Sequence, residues 1–405
     1  MDDSTIKQSG YTQLVNSLIK HPRYHYNDRR LDSTFSVSQD LYRGVEFNVP
    51  YKQNVSLIMS VIFKLNDSES QGMTRNVNPQ SYFPRPQGQR NCLVYLHTHH
   101  GCRIEGTYLI DFLSNYEACL VLIDFAGAGK SQGEHTSFGW FEADQVNTIV
   151  AYLGQNIGFE SIGLWGKSMG GAASIIYQSK YANPLVKFMI IDSAFDKLKH
   201  AILNIASSHS SAPTFAVRAL LLFVSNTVKT KAGFDIYKVK PIDYVKNINI
   251  PCIFVIGQQD DVVKKSEFFN LHGSCKTAYK KLFIVAGDHT GNRLEDDQFC
   301  AEVANFLTNF FPMRNSGGVA GVLKNRDASI AMLTNSQAGL QTNIIAFDAT
   351  KIKNSMFIPS NARFRHGVQQ MHGHSQLQVP EVSEYSSSPG TIPPRQLPQH
   401  GRHAY

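Results

Sequence analysis

The chain has no apolar run long enough to cross a bilayer. Its longest aliphatic stretch, Ala219 to Val224, falls far short of the ~20 residues a membrane helix needs. The opening residues Met1-Asp2-Asp3-Ser4 lack the basic-then-apolar order of a secretory leader. The expected location is therefore the cytoplasm, free or peripherally attached to a membrane. Cysteines are few and scattered, and Cys92, Cys119 and Cys252 open apolar runs where buried thiols are common. This argues against a disulfide or zinc framework. Excess charge is also scarce outside the C-terminal part. Of the net +7, the segment from Met313 onward holds +5, which leaves +2 for the rest. That balance supplies no concentrated basic face for a nucleic acid. With 42% hydrophobic residues in 405, there is material for a large core in one domain with appendages.

Two runs, Leu41 to Val49 and Val55 to Leu65, are rich in Val, Ile and Phe and separated by Pro50, which predicts an antiparallel pair of strands. A polar stretch follows. Strand-length apolar runs then alternate with helix-length segments: 92–96, 119–123, 161–165, 188–191, 252–256 and 281–285. That is βαβα order, and near-continuous apolar strands predict a mostly parallel sheet with helices on both faces. The spacing breaks once, after the sixth strand, where two extra helices predict an insertion at 195–235. Residues 1–40 are set apart as an N-terminal extension, 41–312 as the α/β domain, and 313–405, rich in Gly, Ser, Gln, His and Pro, as a largely disordered tail. Its Pro-rich end is a candidate contact for an unknown protein partner.

The pattern G-x-S-x-G occurs twice, as Gly129-Lys130-Ser131-Gln132-Gly133 and Gly166-Lys167-Ser168-Met169-Gly170. Chance alone produces such matches, so context must choose. Ser168 follows directly on the strand run ending at Trp165 and precedes a small-residue start to an apolar helix. That is the strand, sharp turn and helix of a nucleophile elbow, where flanking glycines relieve crowding. Ser131 lies seven residues beyond Asp124 and leads into a stretch with no helical period, so it reads as a structural loop. Both sites also carry Gly-Lys-Ser. A phosphate-binding loop needs an earlier glycine where Asp124 and Ser161 stand, which argues against that function.

An elbow serine on such a sheet requires an Asp or Glu and then a His later in the chain. Asp260 is the candidate acid, just past the run 252–256, with Asp261 as its alternative. Of the histidines downstream of Asp260, only His289 immediately follows a strand run. Ser168, Asp260 and His289 are thus the candidate nucleophile, acid and base. A serine hydroxyl needs such a base to attack a carbonyl at neutral pH. The chemistry requires no metal or organic cofactor.

The runs Asp124 to Gly133, Gly163 to Gly170 and Gly287-Asp288-His289 resemble the α/β-hydrolase superfamily, and its serine aminopeptidase-like, monoacylglycerol lipase-like branch in particular. Lys20-His21-Pro22-Arg23-Tyr24, Phe138-Gly139-Trp140-Phe141-Glu142 and Phe234-Asp235-Ile236 are similar to a poorly characterised plant and protist group. The resemblance spans residues 12–312. It implies a serine hydrolase of a small-molecule or lipid acyl substrate: an ester or thioester, alternatively a peptide, or a non-catalytic binding protein on the same fold. The expected oxyanion donors are the backbone N–H groups of Met169 and His99. One departure stands out. Members usually carry His-Gly after the third strand run, and here Thr98 follows His97. A β-branched residue tolerates positive φ badly, so a differently shaped loop is expected. His97, His99 and His100 lack the further ligands of a dinuclear zinc site, and His97 reads as a structural strand end. Phe215, Leu220, Leu221, Leu222 and Phe223 give the insertion enough apolar surface either for a lid over an acyl pocket or for a helix packed on the sheet.

Overall fold

The protein is described from a computed structural model. It describes residues 10–314, apart from 21–22, 24–25, 38–39, 66–89 and 210–212, together with residues 320 and 322. The disorder and partner contact expected of the tail lie almost wholly outside these residues. Nine strands form one sheet: β1 (Thr34–Val37), β2 (Asp40–Lys52), β3 (Val55–Lys64), β4 (Asn91–Leu96), β5 (Cys119–Asp124), β6 (Ser161–Lys167), β7 (Val186–Asp192), β8 (Cys252–Gly257) and β9 (Lys280–Val285). Their spatial order is β1-β2-β3-β5-β4-β6-β7-β8-β9. The pairings through β3–β5 are antiparallel and those from β4 to β9 parallel.

The longer helices are α1 (Gly10–Ile19), α2 (Leu109–Leu113), α3 (Glu142–Tyr152), α4 (Met169–Tyr181), α5 (Leu198–His209), α6 (Thr214–Ala232), α7 (Lys265–Ser274) and α8 (Asp297–Leu307). Successive strand residues point to opposite faces, and both faces are covered. Val94, Val121, Leu164 and Phe254 pack with α1, α3 and α4 on one side. Leu93, Leu122, Trp165 and Val255 pack with α2 and α8 on the other. Burial on two faces explains why β4 to β8 read as unbroken apolar runs. At the edge, β9 is half-exposed and carries Lys281, paired with Glu302, a charge that discourages edge pairing.

Two boundaries move. Pro50 lies inside β2 and not between strands, opposite Ser56, with a register shift between Pro50 and Lys52. A proline is tolerated there because β1 pairs only with residues 40–43, so nothing seeks the missing N–H on that side. The turn falls beyond it, at Asn54 with φ 61°. The segment set apart as an extension contributes β1 to the sheet, and α1 buries Val15 and Ile19 in the core. The insertion between β7 and β8 consists of α5 and α6. Helix α6 buries Leu221, Val224 and Val228 while Phe215, Leu222 and Phe223 face solvent.

Candidate active site

Ser168 is the single residue between the end of β6 and the start of α4, and its backbone holds φ 51° and ψ −111°. A non-glycine residue there costs about 1–3 kcal/mol and persists only where its surroundings impose it. Here they do. A Cβ at Gly166 would lie 2.4 Å from the Gly170 carbonyl oxygen, and one at Gly170 would lie 2.0 Å from that of Leu96. The Ser168 N–H donates to the Asp192 carbonyl at 2.8 Å. These contacts press the elbow against the ends of β4 and β7.

The residues after β8 and β9 meet this serine. His289 Nε2 lies 2.9 Å from Ser168 Oγ, and its Nδ1 lies 3.0 and 2.9 Å from the two carboxylate oxygens of Asp260. A carboxylate facing Nδ1 fixes the proton there and leaves Nε2 free to accept from the hydroxyl. Asp260 is held by its own turn, accepting the N–H groups of Val262 at 3.1 Å and Val263 at 2.8 Å. Burial pushes its carboxyl up, but the His289 charge and hydrogen bond and the Val263 N–H outweigh burial and hold it below the usual carboxylate range. Asp261, the alternative, is exposed.

Ser131 is placed otherwise. It is fully buried, its Oγ donates to the Asp124 carbonyl at 2.6 Å, and it accepts the Ile58 N–H at 2.8 Å. Its loop is closed by Gly129, where a Cβ would meet the Asp124 carboxylate at 2.3 Å.

The loop after β4 carries Thr98 without strain. Among the described residues the non-glycine positive-φ positions are Asn54, Phe138, Ser168, Ala182 and Ser193, so the loop passes through Thr98 without the positive φ that a β-branched residue tolerates badly. Glu105, seven residues on, accepts both the Thr98 N–H and its hydroxyl, each at 3.1 Å. His97 is fully buried, with Nδ1 2.7 Å from the Thr98 carbonyl, while Nε2 accepts the Phe125 N–H at 3.0 Å. Burial lowers its pKa to about 4. The His99 ring stacks on Phe138 with centroids 3.9 Å apart, and Met169 is the first residue of α4, wholly buried. A cation could be held, among the described residues, by Asp196, His200 and Glu267, whose ligand atoms lie within 4.8 Å of one another.

Beneath the three residues lies a charged layer that sequence reading missed. Arg293 is buried, with Nε 2.9 Å from Asp192 Oδ1 and Nη2 bonded to Ser193 Oγ at 3.0 Å and the His289 carbonyl at 3.3 Å. Lys167, seen on sequence only as part of Gly-Lys-Ser, sends its ammonium to the carbonyls of Thr290 and Gly291, each at 2.8 Å. The one local signal was a lysine at the end of an otherwise apolar strand.

A family model described as the alpha/beta hydrolase fold matches residues 95–219. The uncharacterized protein YqkD of Bacillus subtilis (strain 168) is 24% identical over 172 residues, which cover 42% of this chain and 55% of that protein. The chain thus spans little more than half the length of that relative. An esterase of Pyrococcus furiosus superposes on 72% of this chain and 97% of its own with a TM-score of 0.53 and 18% identity. A second crystal form of that esterase gives a TM-score of 0.52, again at 18% identity, over 72% of this chain and 99% of its own. The chain has the α/β-hydrolase fold.

Proposed function

We propose that this chain, on its α/β-hydrolase fold, is a serine hydrolase that cleaves a small-molecule or lipid acyl ester or thioester through Ser168, His289 and Asp260. The observation that carries the reading is the continuous hydrogen-bonded run from Ser168 Oγ through both nitrogens of His289 to the Asp260 carboxylate. His289 takes the hydroxyl proton as Oγ attacks the acyl carbon, and Asp260 holds the ring's tautomer and steadies the imidazolium. The same proton goes to the departing alkoxide or thiolate. Water then attacks the acyl-enzyme, gives its proton to His289, and releases the acid with Ser168 restored. The N–H groups of Met169 and His99 are assigned to the oxyanion, each donor contributing roughly 3–4 kcal/mol to the transition state. Its motifs ally the chain with the serine aminopeptidase-like, monoacylglycerol lipase-like branch.

The test is turnover of p-nitrophenyl acyl esters of increasing chain length, their thioester analogues and aminoacyl-anilides, by the full chain and by Ser168→Ala. Ester or thioester cleavage that the variant lacks is the expected result. Cleavage of anilides alone would replace the reading with a peptidase, and no turnover of any class by folded protein would leave a binding protein.

A further inference from the structure

Position 167 lies between the glycine and serine of the elbow, where the turn itself demands no particular side chain. It nevertheless holds a lysine that is only 5% exposed. Burying an ammonium is costly unless it is closely partnered, so its partners show what the charge is for. Both lie on the histidine loop. Nζ donates to the carbonyls of Thr290 and Gly291, the first and second residues after His289.

The loop's other polar groups are engaged in the same way. Asp288 Oδ1 accepts the N–H groups of Thr290 at 2.8 Å and Gly291 at 3.0 Å, and the Thr290 hydroxyl at 2.8 Å. Arg293 donates to the His289 carbonyl. Three successive carbonyls, 289 to 291, therefore face cations, and the amides of 290 and 291 face a carboxylate. Arg293 is anchored on Asp192, whose carbonyl accepts the Ser168 N–H. The loop carrying the base is thus tied to the elbow carrying the nucleophile along two routes, one covalently adjacent to Ser168 through Lys167 and one through Asp192.

We propose that Lys167 is a positioning residue: its ammonium clamps Thr290 and Gly291 and so holds the His289 imidazole at hydrogen-bond distance from Ser168. The proposal rests on the hydrolase reading above. Burial, with Arg293, holds the Lys167 pKa below the ordinary lysine value against the carboxylates of Asp192, Glu105 and Asp288, which favour the charge. Glu105 also holds Thr98, so the same layer of charge reaches the loop assigned to the second oxyanion donor. A displacement of about 1 Å at the base can cost on the order of 100-fold in rate, which makes a clamp two residues from His289 consequential. Lys167 touches no reacting atom, so its effect should fall on the chemical step and spare substrate affinity.

The experiment compares full-length wild type, Lys167→Met and Lys167→Gln in the rate of labelling by a fluorophosphonate, resolved into kinact and KI. Lys167→Met keeps the volume and removes the donor, and Lys167→Gln keeps a donor without the charge. The expected result is a kinact lowered about tenfold or more in Lys167→Met, KI within about twofold, and Lys167→Gln in between. The unfolding midpoint should stay near that of wild type, because Thr290 is exposed and Gly291 partly so, and water can satisfy their carbonyls. The Nδ1–H proton of His289, seen at low field by NMR, should broaden or move in Lys167→Met. Labelling at the wild-type rate with an unchanged proton signal would overturn the proposal, as would a loss of rate matched by a rise in KI and a fall in unfolding midpoint. If Lys167→Met does not fold, Lys167→Gln decides by the same criteria. Folded wild type that takes no label contradicts the hydrolase reading instead, and the His289 proton in the variants then still reads whether Lys167 positions the ring.

Discussion

Two loops in this chain share four of five residues, Gly-Lys-Ser-Gln-Gly and Gly-Lys-Ser-Met-Gly, and the fold puts them to opposite uses. At the first, six residues separate β5 from the serine, the chain has turned back on itself, and Ser131 Oγ is bonded on both sides to backbone groups. At the second, no residue separates β6 from the serine, and Ser168 Oγ faces His289. The lysines divide in the same way. Lys130 leaves 42% of its side chain in solvent near Glu46, whereas Lys167 is buried under the histidine loop. The pattern of residue types is therefore neutral about function. The distance from the strand end decides whether the hydroxyl becomes a loop fastener or stands at the mouth of the sheet.

Several substitutions press on that contrast. The largest effect is expected from Ser168→Ala, which should lower ester turnover by about 10⁵-fold, while Ser131→Ala leaves turnover within about twofold. Assays on purified, folded protein check this, and equal losses would erase the distinction. Asp260→Asn should lower kcat by about 10⁴-fold with little change in KM, because an amide facing Nδ1 favours the wrong tautomer.

The support of the first loop should show a pH signature. His97 accepts the Phe125 N–H in its neutral form and has a folded pKa of about 4 against 6.5 for the free side chain. Between these values the unfolded chain binds more protons. Stability is therefore present above pH 6.5 and declines as pH falls toward about 4, by about 3 kcal/mol in all. Urea midpoints near neutrality and near pH 4 should show this slope, and His97→Gln should flatten it.

Ser131→Ala should cost about 1–3 kcal/mol, since the part-buried Ile58 N–H loses its acceptor and the buried Asp124 carbonyl its donor, a change readable as a lower midpoint at full activity. The smallest effect belongs to Lys130→Met, within about 0.5 kcal/mol, because its contact with Glu46 is a long surface pair.

Much of this was legible in the sequence because of where residues stand relative to strand ends. Strands buried on both faces leave unbroken apolar runs, so β4 to β8 could be read directly. Ser168 and Asp260 each follow one such run, His289 follows the half-exposed edge strand β9, and the parallel sheet gathers those ends at one edge. Strand β1 was not legible, because four residues with alternating exposure give too short a pattern. Pro50 misled because its penalty vanishes where β2 has a neighbour on only one side. At Thr98 the sequence showed only the glycine that is replaced; that Glu105 offers both its N–H and its hydroxyl an acceptor was not legible. Lys167 and Arg293 act on groups that are distant in the chain or are backbone carbonyls, and neither kind of partner leaves a trace in residue type.

The most direct test is to label the full chain with a fluorophosphonate and map the adduct by peptide mass spectrometry. The account predicts a single modified residue, Ser168, with no label in Ser168→Ala. An adduct on Ser131, or folded wild-type protein that takes no label at all, would contradict it.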